Sequence, residues 1–304
     1  MTILRHAPLL RQFLTVVREG SLSAAANALS VTQPALTKSI QKLETELGVR
    51  LFERLPRGIA LTKYGEALLP HAQRIDTECS IADLELQAFG NGQVGRLRVG
   101  MGELFSATLV PQAITEVQAQ YPALSFELVS AVTEVNYPRL LAGELDIIFG
   151  ALPQVDPMPD FLSVHPILEL SSRVIAGSQH PLAGKKRVRQ TDLAAYPWAV
   201  LHFDREIIQR LLSVLGEGNP KRPRISVEIS SLSALVQLLR NGPYLSCFAD
   251  LLPALQPHLG IAVLAYETPI WRYNSGAVMH ASLQRYRPAT LMIELVKREA
   301  TRQL

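Results

Sequence analysis

The chain has only two cysteines in 304 residues, Cys79 and Cys247, with no Cys-x-x-Cys spacing and no Cys/His cluster. A disulfide framework and a structural zinc site are thereby excluded, since both need several sulfurs at short intervals. Long apolar runs are missing as well: no stretch approaches the roughly 18 uninterrupted apolar residues of a membrane-spanning helix. The run Phe13–Val17 lies between Arg11 and Arg18 and is too short for a secretory signal, so a cytoplasmic protein is expected. Charged residues make up 19% of the chain and hydrophobic ones 48%, the balance of a soluble globular protein. The length suits two or three domains.

What charge there is, is unevenly placed. The formal net charge is +3, yet residues 1–65 hold nine Lys or Arg against four Glu, a net +5. The remaining 239 residues hold 21 basic and 23 acidic side chains, a net −2. A compact basic end on a near-neutral body points to a polyanion partner for one part only.

That basic end reads as three short helices. Leu9, Leu10, Phe13, Val16 and Val17 recur at helical spacing up to Gly20. Ser21 or Ser23 can cap a second helix built on Ala24, Ala25, Ala26 and Leu29, and Val31 falls in the tight turn after it. Thr32 can cap a third helix, with Pro34 tolerated in the first turn, running through Ile40 and Leu43 to Leu47 and stopping at Gly48. Helix, tight turn, helix is the arrangement that offers its second helix to the DNA major groove. Ala25 lets the two helices cross closely, and Leu29, Val31, Ile40 and Leu43 are expected to fill the core behind them. Gln33, Thr37, Lys38 and Gln41 fall on the outward face, where they suit base edges or phosphates. A polar helix face alone is more often merely solvated; the local charge and the basic hairpin that follows tip the balance to DNA. In that hairpin Leu51–Phe52 and Ile59–Leu61 bracket Arg54, Pro56, Arg57 and Gly58. A long helix is expected next, from Tyr64 to Phe89. Its Leu68, Ala72, Ile75, Cys79, Ala82, Leu86 and Phe89 alternate by four and three, the seam of a helix paired with another.

Gly90, Gly92 and Gly95 mark a hinge, after which short apolar strands alternate with helices. Strands are expected at Leu97–Val99, Phe126–Val129, Asp146–Leu152, Val174–Ala176, Ala199–Phe203, Val227–Ile229, Leu245–Phe248 and Ala262–Leu264. Helices are expected over 106–120, 135–142, 205–215, 232–241 and 286–302. This is a doubly wound α/β body, long enough for two lobes. In such a body ligands gather at strand ends and helix N-termini. The candidates are Gly102, Glu103, Leu104 and Phe105; Ser130 to Thr133; His202, Phe203 and Asp204; Ser230 and Ser231; and Phe248. Glu103 at the first of these helix starts is expected to repel an anionic ligand or to favour a hydroxylated one.

Catalytic motifs fail on inspection. Gly100-Met101-Gly102 has Phe105 where a dinucleotide fingerprint needs a third glycine, and Ala183-Gly184-Lys185-Lys186 lacks the upstream glycine of a phosphate loop. Gly20-Ser21-Leu22-Ser23 lacks the second glycine of a nucleophile elbow. His165, His180, His202, His258 and His280 have no Cys, Asp or Glu at ligand spacing, and only His202, at a strand end, invites attention. No metal, cofactor or catalytic residue is expected, and the protein does not read as an enzyme.

From Phe13 to Leu69 the chain resembles the winged helix-turn-helix of LysR-type transcriptional regulators. The matches are Phe13, Glu19-Gly20-Ser21, Ala25, Ala26, Leu29, Gln33-Pro34-Ala35, Ile40, Leu43-Glu44, Leu47-Gly48, Leu51-Phe52, Arg54, Arg57, Leu61-Thr62 and Gly65. Thr32 and Thr37 stand where the family commonly has serine, and keep the hydroxyl. LRVG at 97–100, AGELDIIFG at 142–150, HPLAG at 180–184 and DLAAYPW at 192–198 look like the family's effector-binding domain. The resemblance implies a winged helix-turn-helix over 1–63, a linker and dimerisation helix over 64–90, and over 93–304 an α/β effector-binding domain similar to type 2 periplasmic binding proteins. Lobe I would comprise 93–164 with 268–304, and lobe II 165–267.

The implied DNA contacts are Ser23, Thr32, Gln33, Pro34, Thr37, Lys38, Gln41, Arg54 and Arg57. Gln33, Pro34 and Thr37 would read bases, and Thr32, Lys38, Arg54 and Arg57 would hold phosphates. Further implications are a homodimer through the linker helix, a homotetramer, an operator that is an interrupted inverted repeat, and RNA polymerase as a further partner. The effector would be a sugar, a sugar acid or an aromatic acid. Thiol-switch members of the family keep two cysteines in the effector domain, whereas Cys79 and Cys247 read here as small core residues, which argues against peroxide sensing. Two other readings stay open: an architectural DNA binder without a ligand, and an α/β enzyme fused to a DNA-binding head, for which 93–304 supply no nucleophile, base or cofactor motif.

Overall fold

The computed structural model describes residues 7–55, 58–89, 95–201, 205–216 and 223–302. It divides into two compact units, one of the residues up to Gly95 with Pro138–Leu145, the other of Arg96–Tyr137 with the residues from Asp146 on.

The first unit carries α1 (Ala7–Glu19), α2 (Leu22–Ala28), α3 (Gln33–Leu47), β1 (Phe52–Leu55), β2 (Gly58–Leu61) and α4 (Lys63–Phe89). Ser21 rather than Ser23 caps α2, its side chain accepting from the Ala24 N–H at 3.1 Å. Thr32 caps α3 by accepting from the Ala35 N–H, and Gly48 closes that helix at φ 72°, the left-handed conformation that glycine adopts without a Cβ clash. Leu36, Ile40 and Leu43, spaced by four and three along α3, are buried with Phe13, Val16, Ala25 and Phe52. The rings of Phe13 and Phe52 lie 5.2 Å apart. Val31 departs from expectation: it is 39% exposed, because its N–H closes the turn onto the Ala26 carbonyl and leaves the side chain outside the core.

β1 and β2 pair antiparallel from Phe52↔Leu61 to Leu55↔Gly58. α4 begins tight against this ribbon. A Cβ on Gly65 would run into the Leu51 carbonyl oxygen, so only glycine fits there. The apolar stripe of α4 splits in two. Leu68 and Ala72 belong to the core of the head, whereas Cys79, Ala82 and Leu86 are exposed on this chain. Cys79 is therefore not a core residue; Cys247 is, at 6% exposure.

The second unit runs β3 (Arg96–Met101), α5 (Glu103–Ala107), α6 (Leu109–Gln120), β4 (Ser125–Ser130), α7 (Thr133–Leu141), whose C-terminal part groups with the first unit, and β5 (Ile147–Ala151). It continues with β6 (Leu162–Gly177), α8 (Gln190–Leu193), β7 (Pro197–Leu201), α9 (Arg205–Gly216), β8 (Arg224–Ile229) and α10 (Leu232–Asn241). Then come β9 (Leu245–Ala249), α11 (Leu251–Leu255), β10 (Ile261–Val263), β11 (Trp271–His280) and α12 (Arg287–Arg302). The sheet order is β4-β3-β5-β11-β6-β9-β7-β8, with β10 also on β6. Two parallel triplets, β4-β3-β5 and β8-β7-β9, are thus joined by the antiparallel pair β6 and β11. In each triplet the first strand is central, so the chain leaves it to one side and returns on the other. That reversal is where an open α/β sheet forms a crevice beyond its strand ends.

Trp198, Val174, Leu211 and Leu245 are buried together in one core of this unit. At the other end α12 lies on α6, where Arg298 and Glu116 pair at 2.6 Å. Three expectations change. The helix expected over 106–120 starts at Glu103 and is two helices, since Thr108 adopts φ −133°, ψ −79° and its hydroxyl donates to the Leu104 carbonyl at 2.5 Å. The strand expected at Val174–Ala176 is the end of the much longer β6, and β11 has no counterpart among the expected strands. Gly90 and Gly92, of the expected hinge, lie outside the described residues.

Candidate DNA-binding face and effector cleft

α3 presents Gln33, Pro34, Lys38 and Gln41 to solvent on the side opposite its buried Leu36, Ile40 and Leu43. Thr37 is half-buried between the two faces. Its hydroxyl donates to the Gln33 carbonyl at 2.9 Å and accepts from the Gln33 side-chain amide at 3.0 Å. The amide is thus held in one direction before any partner arrives. Ser23, on α2, and Thr32 are exposed beside it. Glu44, from the same helix, accepts from the N–H groups of Leu51 at 2.7 Å and Phe52 at 3.2 Å. A charged acceptor on two backbone donors ties the ribbon's first strand to α3. Arg54 lies on β1, while Arg57 falls outside the described residues.

The second unit holds a cavity at both strand reversals. Gly102, Glu103, Leu104 and Phe105 follow β3, Gly150 and Ala151 end β5, and Val132, Thr133 and Glu134 open α7. Leu201 ends β7, Phe248 and Ala249 end β9, and Ile207 lies in the first turn of α9. Leu170 and Ser172 of β6 with Trp271 and Tyr273 of β11 complete the lining. The volume open to the centres of water-sized spheres is about 90 Å³.

Local contacts set these walls. The Gly102 N–H donates to the Phe149 carbonyl at 2.7 Å, fixing the turn from β3 into α5. The Thr133 hydroxyl donates to the Ala151 carbonyl at 2.7 Å, and a Cβ on Gly150 would stand 2.7 Å from that hydroxyl oxygen. Burial holds the Glu103 carboxyl above the usual carboxylate range, partly countered by the Ser130 hydroxyl, which donates to it at 3.1 Å. The Trp271 and Tyr273 rings stack at 4.3 Å, and the Arg210 guanidinium lies 4.8 Å over Trp271. Among the described residues no three His, Cys, Asp or Glu side chains form a metal-holding group.

The sequence profile of the "LysR substrate binding domain" matches residues 90–301, and that of the "Bacterial regulatory helix-turn-helix protein, lysR family" matches residues 8–66. The chain belongs to the LysR family. It is 33% identical over 242 residues, 78% of this regulator and 76% of the relative, to the "SDS degradation transcriptional activation protein" of Pseudomonas sp.. It is 31% identical to a "Probable hydrogen peroxide-inducible genes activator" of Mycobacterium avium, covering 88% of each chain. Among solved structures, a full-length OxyR variant of Pseudomonas aeruginosa shares the fold at a TM-score of 0.68 and 24% identity, covering 98% of this chain and 95% of that one. This LysR-type protein is accordingly a DNA-binding transcriptional regulator with an effector-binding domain, and not an enzyme.

Within this LysR regulator the cavity brings together Gly102, Glu103, Leu104, Phe105, Val132, Thr133 and Phe248 of the residues singled out from sequence. Ser130 does not line it but bonds Glu103 from behind. Ser230 is exposed and also outside the lining, and Ser231 spends its hydroxyl capping α10, accepting from the Ala234 N–H at 3.4 Å. His202, Phe203 and Asp204 lie outside the described residues. Ser172, Trp271 and Tyr273 escape the sequence reading, because Trp271 and Tyr273 sit on β11, which patterning does not reveal, and Ser172 lies on β6 before its expected part Val174–Ala176.

Proposed function

We propose that the regulator reads its operator through the exposed N-terminal half of α3 and is controlled by a small molecule in the cavity between the two strand triplets. Gln33, Pro34 and Thr37 contact bases, Thr32, Lys38, Arg54 and Arg57 hold the phosphates, and Ser23 and Gln41 complete the DNA-contacting surface. The head spans 1–63, the dimerisation helix 64–90 and the effector domain 93–304. The exposed stripe of Cys79, Ala82 and Leu86, spaced by three and four on α4, favours pairing of that helix with a second copy. Two recognition helices about one DNA turn apart then call for an interrupted inverted repeat, and two dimers for a homotetramer in the cytoplasm that meets RNA polymerase at the promoter. The effector classes expected from the sequence are sugars, sugar acids and aromatic acids.

The observation that carries this reading is the coincidence of one cavity with both strand reversals, since that is where open α/β sheets bind ligands. A metabolite that binds the folded protein stabilises it as the logarithm of its excess over Kd, so a thermal-shift screen of the full chain will identify it. The effector found is expected to change operator affinity in a fluorescence-anisotropy titration. Operator binding with no metabolite raising the unfolding temperature would favour the architectural DNA binder instead.

A further inference from the structure

Two of the three effector classes expected from the sequence carry a carboxylate, and the cavity is built against that charge. Helix N-termini normally welcome anions. Here each helix that opens at the cavity already carries a glutamate in its first turn: Glu103 in α5, Glu134 in α7 and Glu206 in α9. Glu103 and Glu134 line the cavity themselves, and no Lys or Arg is among the described lining residues. The nearby Arg210 is committed to Glu206 at 2.5 Å and to the face of Trp271. An anionic effector would therefore meet two like charges and no cationic side chain among the described lining residues.

A second observation is independent of charge. Ser172 is fully buried, lines the cavity, and its hydroxyl has no hydrogen-bond partner among the described residues. A buried unpaired hydroxyl destabilises the fold, and a ligand group bonded to it removes that cost. Around these polar points the walls are apolar and aromatic: Phe105, Leu170, Ile207, Phe248 and Trp271.

Resting on the effector-cleft reading above, we propose that the ligand is a small organic cation, an amine or amidine on an apolar or aromatic body. Its N–H groups donate to the Glu103 carboxylate and the Ser172 hydroxyl, and its body lies against Phe105, Phe248 and Trp271. The partly desolvated carboxylate gains most from such a ligand, because a charge-assisted hydrogen bond offsets the hydration that burial has removed.

Calorimetric titration of the full chain with benzylamine, benzyl alcohol and benzoate holds the ring constant and varies only the charge. Benzylamine is expected to bind at least about tenfold more tightly than benzoate. Glu103→Gln, which keeps the shape, should weaken benzylamine about 10- to 100-fold and leave benzyl alcohol nearly unchanged, as expected for loss of a hydrogen bond to a charged group. Glu103→Lys should reverse the order and favour benzoate. Tighter binding of benzoate by the unaltered protein overturns the charge assignment while leaving the cleft as the effector site. Benzylamine binding that Glu103→Gln and Ser172→Ala both leave unchanged places the ligand elsewhere and overturns the cleft assignment too. No binding of benzylamine or n-butylamine overturns the ligand class. Failure of the regulator reading is seen separately, as no operator binding by the same preparation.

Discussion

On α3, the side chains proposed to meet DNA lie within nine positions of each other, Gln33 to Gln41, on one face of one helix. In the body, the cavity collects residues from Gly102 to Tyr273, drawn from three helix starts and five strands. The first surface is an outward face whose orientation follows from a helical period, with Leu36, Ile40 and Leu43 anchoring the other side. The second is a concavity that exists only once two strand triplets and two crossover strands have assembled. A short helix can thus be damaged by one core substitution, whereas the cavity is spread over a sheet that no single lining residue holds together.

The largest effect expected from this difference is on the head. Leu43 is fully buried in a small core, and Leu43→Ala should destabilise that unit by about 3 kcal/mol through lost burial and an unfilled cavity. Calorimetric unfolding is expected to show a head transition moved to lower temperature, with operator affinity lost for every sequence alike and ligand binding by the body kept. Loss of both activities together would show that the two units unfold as one.

A smaller effect tests how the ribbon is tied to the recognition helix. Glu44→Ala removes the acceptor of the Leu51 and Phe52 N–H groups and should cost about 2 kcal/mol, whereas Glu44→Gln, which keeps an oxygen but no charge, should cost about 1 kcal/mol. Chemical denaturation of the two variants measures the pair. Equal costs would mean that charge adds nothing at this joint.

The same contrast explains what can be read without coordinates. Ser21, Thr32, Gly48 and the buried spacing of α3 are local: each depends on neighbours within a few residues, and each is visible as a cap, a stop or a period. Val31 is misplaced by the pattern because a turn residue has no period to fix its direction. In the body, Pro166 and the polar residues His165, Glu169, Ser171 and Arg173 interrupt any apolar run in β6, and Arg272, Asn274 and Ser275 do the same in β11. These strands are specified by pairing with each other, Trp271 opposite Ser172 among the pairs, over about a hundred residues of intervening chain. Missing β11 therefore hides the part of β6 that pairs with it, and with them Ser172 and Trp271 of the cavity.

On α3 the expected effect falls on sequence discrimination more than on stability. Gln33→Ala should cost about 1–3 kcal/mol at one operator base pair and little at others. Since the Thr37 hydroxyl holds the Gln33 amide, Thr37→Ala should relax specificity at that same base pair, and the double variant should lose less than the two singles combined. Arg57→Ala should instead weaken all sequences and lower the slope of affinity against salt. Anisotropy titrations over single-base operator variants separate these outcomes; equal losses on every sequence for Gln33→Ala would remove it from the base readers.

The smallest effect belongs to the cavity and depends on pH. Burial raises the Glu103 carboxyl above its value in the unfolded chain. A group raised in this way is protonated in both states at low pH, and as pH climbs it ionises first in the unfolded chain, so stability falls until the folded group has ionised as well. Above the carboxylate range Glu103 therefore weakens the fold, and Glu103→Gln should raise the unfolding temperature of the body at neutral pH. That gain should shrink as the pH is lowered through the carboxylate range, because the protonated acid and the amide are both uncharged there. Thermal melts of the two proteins across that range decide the matter. A Glu103→Gln variant less stable than the parent at neutral pH would mean that the bond from Ser130 outweighs burial, and that the carboxylate strengthens its wall of the cavity.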